Sequence, residues 1–130
     1  MRWPRRTAVF GGAVVAVVGG VAAPATASEN LSWLYTVNKG GAIFFDADLN
    51  GQAGVEKITL CDKKSDGRGV AATITDVEDN LEYYLVDRSN DDECTVYQGN
   101  LFKEDTRVQV AIWEYAGTWK STVQYGLGIA

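Results

Sequence analysis

The chain has 130 residues, with 12 basic and 17 acidic side chains, a formal net charge of −5 and no histidine. The missing histidine closes Ser-His-Asp, Cys-His and histidine–metal chemistry. A chain this acidic does not neutralise phosphates, so nucleic acid and anionic membranes are poor partners.

Residues 1–27 read as a removable export signal. Arg2, Arg5 and Arg6 form a basic start, residues 9–21 an apolar run, and Ala25-Thr26-Ala27 a small-x-small cleavage site behind Pro24. The run is shorter than the roughly 20 residues needed to span a bilayer, which argues against a retained anchor. The Arg5-Arg6 pair hints at export of folded protein, but its flanks suit the general secretory route better. Cleavage removes three basic and no acidic residues, so the mature charge falls from −5 to −8. Such a charge suits an exported, soluble protein, and beyond that a cationic partner surface or a divalent metal.

Residues 28–41 begin with an alternating stretch, Leu31, Trp33, Tyr35 and Val37, that leads into Asn38-Lys39-Gly40-Gly41, a turn or linker. Residues 42–47 are β-rich, Asn50-Gly51 is a hairpin signal, and 55–61 make the next strand. A polar turn at 63–69 precedes strands at 70–77 and 81–86. The acidic loop 89–93 leads to Cys94 and a weaker strand over 96–102. Residues 106–115 form the longest strand, with Val108, Val110 and Ile112 on one face, and Ala116-Gly117 turns into 118–125. The tail 126–130 is small and apolar. This pattern predicts an all-β fold for 42–130, a small immunoglobulin-like β-sandwich of seven or eight strands with one disulfide. A small closed β-barrel is the alternative. Residues 28–41 are then a first strand or an extension held away from the domain.

Cys61 and Cys94 are the only cysteines, and in an exported protein such a pair reads as one disulfide. A zinc site would need ligands that the chain lacks. Cys61 falls on the Lys57/Thr59 face of its strand, which leaves open whether the bridge joins two sheets or two neighbouring strands. Phe44, Phe45, Trp113 and Trp119 are assigned to core or sheet-face packing.

Asp46, Asp48 and Asn50 ahead of Gly51 place oxygens at alternate positions, as at the start of a calcium loop. The twelfth position is Lys57 where a bidentate Glu is needed, Glu56 comes one residue early, and the ninth position is Gly54. A polar hairpin explains the stretch, and no metal or other cofactor is assigned. The acidic run from Asp76 to Glu93 reads as a solvated loop or as a docking surface for a basic partner, since a domain this small offers little cleft for a carboxylate-pair glycosidase. A small hydrolase is therefore a distant third class, and no catalytic residue is named. Leu31, Trp33, Tyr35 and Val37 are the candidate partner contacts, either as an ordinary first strand or as a strand added to another protein's sheet.

Residues 45–51 (Phe-Asp-Ala-Asp-Leu-Asn-Gly), 55–62 (Val-Glu-Lys-Ile-Thr-Leu-Cys-Asp) and 65–70 (Ser-Asp-Gly-Arg-Gly-Val) resemble small secreted actinobacterial single-disulfide proteins, with Cys94 and Trp119-Lys120 filling their later positions. Some of these are similar to the adaptor subunit of secreted umbrella-shaped toxin particles. The resemblance implies a compact β-domain whose N-terminal extension inserts into a partner. The expectation is thus a secreted, extracellular, non-enzymatic interaction module that binds other secreted proteins. The alternative is a secreted inhibitor of a protease or lysozyme acting through loop 63–69 or 89–93.

Overall fold

A computed structural model describes residues 28–88 and 93–130, so the leader 1–27 and most of the 89–93 loop lie outside the described residues. Nine strands are present among them: β1 Leu31–Tyr35, β2 Gly41–Asp46, β3 Glu56–Asp62, β4 Gly69–Asp76, β5 Glu82–Asp87, β6 Cys94–Gly99, β7 Arg107–Ala116, β8 Trp119–Lys120 and β9 Gln124–Ile129. All pairings are antiparallel. One sheet has the order β1-β2-β3-β6, and the other the order β5-β4-β7, with β8 and β9 both along the far edge of β7. The fold is all-β, two sheets face to face, and not a closed barrel. At one seam a single bridge joins the sheets, Glu29 N donating to Ile129 O at 2.9 Å and Ile129 N to Glu29 O at 3.0 Å.

Strand alternation explains the core. Side chains two apart share a face, and Ile43 and Phe45 of β2, Ile58 and Leu60 of β3, Val70, Ala72 and Ile74 of β4, Leu85 of β5, and Val108, Val110 and Ile112 of β7 all turn inward. Phe102, on the β6–β7 connection, plugs the space between the sheets. It packs edge-on against Phe45 at 6.2 Å and Tyr83 at 5.2 Å between ring centroids. Glu56 fixes that connection. Its side chain is fully buried, and Oε2 accepts hydrogen bonds from Leu101 N at 2.7 Å and Phe102 N at 3.4 Å. Tyr83 closes the clasp by donating its hydroxyl to Leu101 O at 2.9 Å.

The small apolar tail completes strand β9. Its glycines conceal the strand pattern and have a packing reason. A Cβ on Gly126 would lie 2.7 Å from Leu31 Cδ2, and one on Gly128 would lie 2.9 Å from Phe45 Cδ1. Between β8 and β9 the register on β7 shifts by one residue, a bulge. There the Ser121 hydroxyl accepts from Glu114 N at 2.9 Å and keeps that amide paired. The Asn50-Gly51 signal is a single 3-10 turn, Leu49–Gly51, within a longer loop rather than a two-residue hairpin, and Asn50 takes a left-handed φ of 56°.

Candidate interaction face

The N-terminal stretch belongs to the domain's own sheet. Leu34 pairs with Ile43 and Tyr35 with Ala42, and Thr36 N donates to Gly41 O at 2.9 Å. Residues 38–41 are a turn rather than a flexible linker: Gly41 N donates to Thr36 Oγ1 at 3.0 Å, Lys63 N to Gly40 O at 2.7 Å, and Lys64 Nζ to Asn38 O at 2.7 Å. The expectation of one shared face for Leu31, Trp33, Tyr35 and Val37 is corrected. The β1–β2 register shifts between Leu31 and Leu34, so the alternation breaks. Leu31 and Leu34 lean on the core, whereas Trp33 and Tyr35 stand on the outer face, 42% and 43% exposed. Val37 lies past the strand end, exposed in the turn.

Register places the rest of that outer face. Residues directly opposite each other share a face, which gives one row of Tyr35, Ala42, Cys61 and Cys94, and a second in which Phe44, Thr59 and Val96 lie side by side. Trp33 joins the second row by packing on Phe44, with ring centroids 5.5 Å apart. Lys63 arches over both anchors, its Nζ 5.2 Å from the Trp33 centroid and 5.9 Å from that of Tyr35. Beside it, Cys61, Asp62, Lys63 and Cys94 line a hollow of about 270 Å³.

The disulfide is therefore part of this face. It joins opposed residues of neighbouring strands in one sheet, with Cα atoms 4.4 Å apart, the spacing of a non-hydrogen-bonded antiparallel pair. Of the two geometries left open by the sequence, the bridge takes the one within a sheet.

Asp46, Asp48 and Asn50 do not form the calcium loop their spacing suggested. Asp46 lies opposite Lys57 across β2 and β3, Asp48 accepts from the Ser28 hydroxyl, and Asn50 is at the exposed tip of the turn. No group of three or more acidic or cysteine side chains able to hold a metal occurs among the described residues. Of the two loops considered for inhibition, residues 63–67 are exposed, and 89–92 lie outside the described residues.

Buried carboxylates that spacing did not reveal gather at the end of the sandwich near the disulfide. Asp62, Asp87 and Glu114 are each nearly inaccessible, and Asp62 N donates to Asp87 Oδ2 at 3.0 Å. Of the three, Asp62 lines a cavity of about 370 Å³, together with Arg68, Arg88 and Tyr115. Burial pushes the Asp62 carboxyl above its ordinary range. The bond from Lys64 N opposes this, and the nearby Asp66, Asp87 and Glu114 charges add to it. A carboxyl raised in the folded state stabilises the fold below its unfolded value of 3.8 and loses that contribution as pH rises through the folded value. Asp62→Asn keeps an acceptor for Lys64 N and removes the charge. We expect it to be more stable than wild type at neutral pH, the gap closing in acid. Melting curves across pH check this, and a constant gap would refute it.

Among the described residues no helix is long and apolar enough to cross a membrane. The comparisons with protein-family models, with curated proteins and with solved structures found no match to this chain.

Proposed function

We propose that the chain is a secreted, non-enzymatic interaction module that docks another secreted protein on the outer face of its first sheet. The observation that carries this reading is the pair Trp33 and Tyr35, two large aromatic side chains held half-exposed around Lys63 although the core has no need of them. Tyrosine and tryptophan on a rigid sheet lose little conformational freedom on binding, and they dominate the energetics of protein interfaces. The export signal and the disulfide agree with an extracellular setting. The resemblance of residues 45–51, 55–62 and 65–70 to small secreted proteins, some of them similar to a toxin-particle adaptor, supports an adaptor role within an extracellular complex. In this reading the N-terminal strand contributes its outer face to the partner instead of leaving its own sheet.

The test is affinity capture with tagged protein 28–130 from the native culture supernatant. The expected result is one stoichiometric partner. Trp33→Ala with Tyr35→Ala should weaken capture at least thirtyfold, about 2 kcal/mol, with little change in melting temperature. Undiminished capture by the double variant contradicts the assignment. Loss of capture only on changing loop 63–69 favours the inhibitor reading.

A further inference from the structure

The opposite outer face, on the second sheet, is built differently. Register sets Tyr84 of β5, Thr73 of β4, Ala111 of β7 and Tyr125 of β9 in one row across four strands. Two small residues make a floor, and two tyrosines, 56% and 64% exposed, rise at its ends. Three inter-strand spacings separate those walls, about 14 Å. The neighbouring row holds Glu82, Thr75, Gln109 and the exposed Leu127, with Thr75 Oγ1 donating to Glu82 Oε2 at 3.1 Å. On the other side, Trp113 packs on Tyr84 at 6.3 Å between centroids and holds the Lys120 ammonium 4.2 Å from its ring centre. A trough of about 310 Å³ runs over Thr73 and Ala111 between Trp113 and Tyr125; Tyr84 borders it only through its packing on Trp113.

We infer that this trough binds a neutral saccharide chain. Aromatic walls offer flat apolar faces against which the C–H faces of a pyranose ring can stack. Threonine hydroxyls, the Gln109 amide, the Glu82 carboxylate and the Lys120 ammonium supply both acceptors and donors for sugar hydroxyls. The local charge selects the class of ligand. Glu82 and Lys120 are the only charged groups lining the trough, so they cancel, and residues 28–130 carry a net −8 that repels polyanions. Aromatic platforms that stack nucleobases work together with a positively charged groove, which is missing here. The inference is independent of the protein-docking face, because the two lie on opposite sides of the sandwich.

Affinity electrophoresis of protein 28–130 through gels containing neutral polysaccharides (a β-glucan, a xylan, a mannan or glycol chitin), with heparin as a polyanion arm, tests this. At least one neutral polymer should retard the wild type. Tyr84→Ala with Tyr125→Ala should reduce that retardation at least tenfold in apparent affinity, whereas Tyr125→Phe, which keeps the ring, retains it. Both tyrosines are exposed, so the melting temperature should hold and show that the fold is intact. Retardation by heparin alone, by none of the polymers, or equally in the double alanine variant overturns the inference. The Trp33/Tyr35 double variant should bind saccharide as wild type does.

Discussion

Breaking the Cys61–Cys94 bridge should lower the stability of the domain by about 3–4 kcal/mol, the loop-closure contribution expected for cysteines 33 positions apart. For a domain of this size that corresponds to about 15–25 °C in Tm. The bridge also ties down an edge strand: without it, pairing with β3 is the only tie of β6 within that sheet. The double variant Cys61→Ala/Cys94→Ala, melted beside the oxidised wild type, checks this, and a difference under 1 kcal/mol would count against it. Because the bridged row also carries Tyr35, its loss should loosen the docking face along with the edge strand.

The second large effect is expected at Glu56. Glu56→Ala removes the acceptor for Leu101 N and leaves Phe102 N without its contact, and it opens space beneath a fully buried position. An unsatisfied buried amide costs about 1–3 kcal/mol, so with the lost packing the variant should be destabilised by about 3–4 kcal/mol. Glu56→Gln keeps an acceptor at the same reach and should lose less than half as much. Denaturant unfolding of the two variants separates the cases; equal losses would show that the carboxylate acts through its charge and not as an acceptor.

The strands were largely legible because inward and outward residues alternate cleanly, as Val108, Val110 and Ile112 do on β7. What remained hidden depended on contacts between distant residues. Gly126 and Gly128 disguise β9, and only the Leu31 and Phe45 side chains lying over them explain why larger residues are excluded there. In β1 the bulge puts Leu31 and Trp33 on opposite faces although their spacing says otherwise. Cys61 was correctly placed on the Lys57/Thr59 face, but alternation says nothing about the strand across from it. The separation of Trp33 from Trp113 onto different outer faces required strand order, which no local pattern contains. The Tyr84–Tyr125 row had a weak signal, an outward tyrosine on each of two strands, and register alone shows that they stand in one line.

The N-terminal strand is part of its own sheet and presents aromatic side chains outward. Amide hydrogen exchange of free protein 28–130 tests it most directly at Glu29 and Thr36, whose N–H groups donate to Ile129 O and Gly41 O. Both amides should exchange far more slowly than in a free peptide, and Thr36 should stay protected when the captured partner is bound. Exchange of both at the rate of an unstructured peptide would contradict it and leave a strand free to join another protein's sheet.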